Sequence, residues 1–127
     1  MTGLILISTI YITLLFFVSG FHKIKDFMKV VKGFMNKTAL PLSLAKIIIS
    51  GVIVLEIVAP FIIALYSYNS HPNLYIYAKL GLLGLIVFTI LATLLYHFPP
   101  VGSNYYSFMS NISTLGGLLL LYQHFFV

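Results

Sequence analysis

The sequence predicts an all-α membrane protein: a four-transmembrane-helix bundle with an interfacial amphipathic helix between the first and second spans. Three observations predict it. The 127 residues are 61% hydrophobic and only 7% charged, with mean hydropathy +1.09. A soluble domain carries about 25% charged residues, so this chain cannot cover a water-facing surface. Four apolar runs approach the about 20 residues that a helix needs to cross a bilayer. Finally, nearly all the charge gathers at one boundary. Together these exclude a soluble enzyme, a nucleic-acid-binding module and a disordered chain. Residues 1–127 read as a single integral membrane domain, with the lipid bilayer as its solvent.

The first span is expected over residues 4–21, which contain no charge and end at Ser19-Gly20-Phe21-His22-Lys23. Met1-Thr2-Gly3 lacks a basic leader region and no small-residue cleavage site stands out, so the run reads as a retained span. An amphipathic helix follows over residues 23–37. There Ile24, Phe27, Met28, Val31, Phe34 and Met35 recur at helical spacing, while Lys25, Asp26, Lys29, Lys32 and Asn36 fill the other side. Such a helix lies in the interface, its lysine stems reaching the headgroups; a solvated loop is the bland alternative. Pro41 stops it, and Ser43 is expected to cap the second span, residues 44–66. Ser67 to Asn73 form a polar turn. The third span is expected over 74–96, ended by the Pro99-Pro100 pair, which cannot continue a helix. The fourth runs over 105–125. Tyr66, Tyr68, Tyr75, Tyr77, Tyr96, Tyr105, Tyr106 and Tyr122 flank these boundaries, as residues with an apolar ring and a wet hydroxyl do.

All seven positive charges are lysines, and six of them lie between Lys23 and Lys46. The positive-inside rule puts that stretch on the cytoplasmic side, with both termini opposite. The pattern suggests anionic lipid headgroups as partners, and no nucleic acid. Cysteine is absent, which excludes thiol redox chemistry. No GxGxxG, P-loop, HExxH or GxSxG motif occurs. Four scattered histidines and one interior Glu make no metal spacing, so no metal is predicted.

Glu56 is the most informative residue. A carboxyl near the bilayer centre costs about 2.5–3.5 kcal/mol on insertion scales, so it should face the interior and find a donor or a proton. It is either functional or polar glue between helices, and interhelical bonds of that kind average only about 0.6 kcal/mol. Gly81, Leu85, Thr89, Thr93 and His97 form a stripe spaced by four along the third span. His97 ends it at the interface, either as a wetted histidine or as a proton carrier or ligand donor. Asn111 lies in the polar first half of the fourth span, where a buried amide requires partners. Gly20, His22 and Lys23 mark the end of the first span; Lys23 either anchors the interfacial helix or binds a lipid phosphate. His71 and His124 look like ordinary interface residues.

Phe17-Val18-Ser19-Gly20-Phe21-His22-Lys23-Ile24 resembles the first-span ending of the DoxX family, with Gly and Lys three residues apart. Leu40-Pro41 followed by Glu56 resembles its second block. Ala92-Thr93-Leu94-Leu95-Tyr96-His97-Phe98 resembles its third-span ending, and Asn111-Ile112-Ser113-Thr114-Leu115-Gly116-Gly117-Leu118-Leu119 its final block. The match runs in order over nearly the whole chain, but lacks the Arg often seen in the family's first span. The resemblance implies a four-helix membrane protein linked to quinone-dependent oxidoreductase complexes; related proteins serve as assembly factors or chaperones.

The expected function is therefore an accessory subunit of a quinone-linked membrane oxidoreductase complex, with quinone as cofactor and other membrane subunits, or further copies of itself, as partners. Glu56 and His97 would be catalytic, passing a proton between ligand and water. Asn111, Lys23, Thr93 and Gly20 would form the ligand site. The sequence carries no evident redox centre, so electrons would come from a partner or a bound cofactor. The alternatives are a non-catalytic scaffold, assembly factor or chaperone, and, third, a small-solute transporter, for which four spans without a repeat are a poor basis.

Overall fold

The computed structural model describes residues 2–127 as an all-helical chain. Met1, part of the leader reading above, lies outside the described residues. Five helices follow one another: α1 (Thr2–Lys25), α2 (Phe27–Thr38), α3 (Leu42–Tyr68), α4 (Pro72–Tyr96) and α5 (Asn104–Phe126). α1, α3 and α4 are long and apolar enough to cross a membrane. At 1.5 Å per residue α3 is about 40 Å long, more than the about 30 Å of a hydrocarbon core. α5 has the length, but Ser107, Ser110, Asn111, Ser113 and Thr114 make its first half polar.

The long helices run up and down. Gly20 of α1 meets Ile57 of α3, while Phe16, one turn earlier, shares a cluster with Ala59 and Ile63. Gly81 and Gly84 of α4 meet Ala59 and Leu55 of α3, and α5 returns so that Gly117 rests on Ile12 of α1. The main core joins Phe16, Ala59, Ile63, Leu82, Leu85, Ile86, Leu118 and Leu121. Outward-facing residues stay apolar: Tyr11, Ile47, Phe61, Leu91 and Leu120 are each at least 60% exposed. Lipid accepts such a surface, whereas in water it would be a large adhesive patch.

The break between the first span and the amphipathic segment differs from the expected one at residues 21–23. α1 continues through Lys25, because backbone bonds persist: the Asp26 amide donates to the His22 carbonyl at 3.0 Å, and Val30 to Asp26 at 3.0 Å. Asp26 itself leaves helical geometry, with φ −110° and ψ 37°. The result is a kink at one residue. α2 then packs lengthwise on α3, its Val31 fully buried in a second cluster with Ala45, Ile49 and Ile53. Lys29, Lys32 and Lys37 remain exposed. Ala39, in the left-handed region with φ 59°, ends α2.

Two end effects correct the sequence reading. Ser43 does not cap α3; Pro41 holds the cap position and makes no side-chain cap bond. Extended Pro41 (φ −68°, ψ 158°) already sets the entry, so helix begins at Leu42 and Ser43 falls inside it. His71, read as an ordinary interface residue, caps α4: its Nδ1 accepts from the Asn73 amide at 3.1 Å, while Pro72 occupies the first turn, where no amide is needed. Pro60 stands inside α3, one turn after Glu56.

Candidate functional site

The site begins with a close approach. A Cβ on Gly20 would lie 2.7 Å from Ile57 Cγ1 and 3.2 Å from Glu56 Cβ, so only glycine lets α1 come this near α3. Ser19 and Lys23 flank that contact and, four residues apart, share a face of α1. Lys23 Nζ donates to Ser19 Oγ at 2.7 Å and to Glu56 Oε1 at 2.7 Å. Glu56 is 1% exposed, whereas the Lys23 side chain is 21% exposed. The Phe88 ring of α4 lies 5.7 Å from the ammonium, within cation–π reach. Among the described residues this is the one ion pair. A buried pair costs several kcal/mol of desolvation per ion and survives only when closely bonded.

The pair opens onto a cavity of about 780 Å³. Leu15, Phe16, Ile49, Val52, Phe88 and Leu95 make most of its wall apolar. α2 covers it through Lys29, Val30, Gly33 and Phe34, and Asp26 and His22 stand at the kink. His97 and Asn111 also line it. Phe88, beside the ion pair, and His97 are about 13 Å apart along α4 by helical rise. The imidazole and the carboxylate therefore share one cavity without touching.

A second polar contact closes the wall. Asn111 Nδ2 donates to Thr93 Oγ1 at 2.9 Å, and the Thr93 hydroxyl donates in turn to the Thr89 carbonyl at 2.6 Å. The amide thus ties α5 to α4. Beyond the cavity, Lys37 Nζ lies 5.9 Å from the Tyr96 ring centroid, joining α2 to the end of α4. Among the described residues no three His, Asp or Glu side chains converge as a metal would require.

Of the residues singled out in the sequence, Lys23, Glu56, His97 and Asn111 line one cavity. Gly20 and Thr93 stand behind it: Gly20 sets the α1–α3 distance, and Thr93 holds Asn111. Glu56 was expected to find a donor or a proton, and its donor is Lys23, read as an anchor or phosphate ligand. Ser19 was missed as well. The spacing of Ser19 and Lys23, together with a buried acid needing a cation, was the signal for both.

Neither protein-family models, nor curated proteins, nor solved structures contain a match to this chain.

Proposed function

We propose that the chain is a DoxX-like four-span membrane subunit that holds a lipophilic ring of the quinone class beneath α2, as an accessory part of a quinone-linked oxidoreductase complex. One observation carries this reading: the cavity of about 780 Å³ is mostly apolar, preformed and supplied with a few polar groups, Lys23 and Glu56 in one part and His97 and Asn111 farther along. That is the composition of a small-molecule site, and the volume falls within the usual range of about 300–1,000 Å³. In this reading α5 is the fourth span, its polar first half serviced by the Thr93–Asn111 bond. The basic end lies at the cytoplasmic face, with α2 at the headgroup level.

A quinone would supply the carriage of electrons and protons; the chain's own residues bind and shield it. Lys23, Ser19 and Glu56 meet the polar head. Phe16, Phe88, Ile49 and Val52 pack the ring and tail and keep water out. His97, farther along the cavity, stands where a proton would leave for the aqueous side. Electrons reach the site from a partner protein.

The test is extraction. Protein purified in mild detergent carries quinone detectable in its lipid extract, and Glu56→Gln lowers the amount retained. Protein that is quinone-free and shows no binding on titration with decyl-benzoquinone overturns the proposal. One observation favours a scaffold instead: Lys23 and Glu56 already satisfy each other within the chain. Under that second reading Glu56→Gln reduces folded yield and leaves binding unaltered.

A further inference from the structure

We infer that the Lys23–Glu56 pair is a hydroxyl-recognition site: it selects a head group that donates and accepts hydrogen bonds at one oxygen, a phenol or quinol, over a carbonyl or ether that only accepts. The inference rests on the cavity being a ligand site, as proposed above, and names the chemistry that site prefers.

The argument is a count of donors and acceptors. An ammonium has three N–H donors. Lys23 commits one to Ser19 Oγ and one to Glu56 Oε1, which leaves one without a hydrogen-bond acceptor. A carboxylate has two oxygens, each an acceptor. Oε1 takes the lysine, while Oε2 has no hydrogen-bond partner among the described residues. Ser19 lies beside the carboxylate, but its hydroxyl is in hydrogen-bond geometry only with Lys23. No side-chain nitrogen or oxygen among the described residues is both fully enclosed and unpartnered. Oε2 is therefore not fully enclosed, although the side chain is only 2% exposed, and the space that Glu56, Lys23 and Ser19 border is the cavity. Side by side, the wall presents one free donor and one free acceptor.

A hydroxyl oxygen satisfies both at once: it accepts from Lys23 and donates to Oε2. A carbonyl or ether oxygen satisfies the lysine and turns its lone pairs toward a carboxylate oxygen left without a donor. Sites built to bond a hydroxyl reject analogues lacking one because the site's own polar group is stranded.

The test uses a redox-inert pair, 4-decylphenol and its methyl ether 4-decylanisole, titrated calorimetrically into the full-length protein in lipid nanodiscs. The phenol is expected to bind at least about tenfold more tightly, the discrimination that a hydrogen bond to a charged group supplies. Glu56→Gln is expected to erase or reverse the ratio. In that variant the amide oxygen keeps Lys23 and the amide nitrogen offers a donor where Oε2 stood. Equal affinity, or tighter binding of the ether to the unaltered protein, overturns the inference while leaving the cavity as a ligand site. Binding of neither overturns both. A hydroxyl preference that survives Glu56→Gln also overturns it, and where that variant does not fold the two-ligand comparison decides alone.

Discussion

Tyr66, Tyr75, Phe125 and Phe126 pack ring against ring at one end of the bundle, whereas Phe34, Tyr96 and His97 at the other end stand around open space. At the aromatic end Tyr66 meets three rings with centroids 5.6–6.1 Å away, and Ile63, Leu82 and Leu118 beneath it are fully buried. At the basic end α2 replaces α1 as the neighbour of α3, and the helices border a half-open cavity. The filled half gains its cohesion from contact between apolar surfaces. The hollow half adds three polar devices to the small apolar cluster around Val31: the Lys23–Glu56 pair, the Asn111–Thr93 bond and the Lys37–Tyr96 contact. Stability and the proposed ligand binding thus fall to different halves, with the ion pair at their border.

That division can be broken, most severely at the border. Lys23→Met leaves the Glu56 carboxylate without its cation. It is expected to cost about 3–5 kcal/mol, the usual loss when one partner of a buried pair is removed, read as a lower midpoint in thermal unfolding in detergent. Adding Glu56→Leu should restore much of that stability without restoring ligand binding. A single variant as stable as the parent shows that the pair is not what joins the halves.

Within the filled half, Ile63→Ala is expected to cost about 2 kcal/mol. This is the low end for such truncations, since lipid rather than water is the outside solvent. Fluorescence titration should find ligand affinity unchanged in the protein that remains folded; a matching loss of affinity merges the two halves into one unit. The smallest effect belongs to Asn111→Leu. It removes the α4–α5 hydrogen bond, worth about 0.6 kcal/mol on average, and should shift the unfolding midpoint by only a degree or two. A loss several times larger makes the amide a central support of the hollow half.

Much of the helical order was legible because composition and punctuation agree. Apolar runs with little or no charge, Pro41, Pro72 and the Pro99-Pro100 pair mark where helices can and cannot run. Glu56 was legible as an interior residue because an acid in an apolar helix has nowhere cheaper to go. Its partner was legible only as a cation that the acid would need, since Lys23 lies at the sequence end of α1, and only the depth to which α1 descends beside α3 brings it level with Glu56. That depth depends on Gly20, whose meaning is a distance between two helices and not a pattern along one. The kink at Asp26 was equally hidden, because the helical periodicity of residues 24–35 reads the same whether one residue departs from it or none. Ser43 misled for a local reason: capping preference says which residue suits a helix start, but Pro41 had already fixed where the start falls.

Pro60 gives the ion pair an unlooked-for neighbour. Proline offers no amide hydrogen to the carbonyl four positions earlier, and in α3 that carbonyl belongs to Glu56 itself. The same residue therefore has an oxygen released from the ladder of its own helix, where hydrocarbon offers nothing in exchange. A trapped water, or a small rotation of the segment beyond Pro60, is what such an oxygen demands. The level of the bundle that holds the buried charge is thereby also the level at which the longest helix lacks one of its own backbone hydrogen bonds.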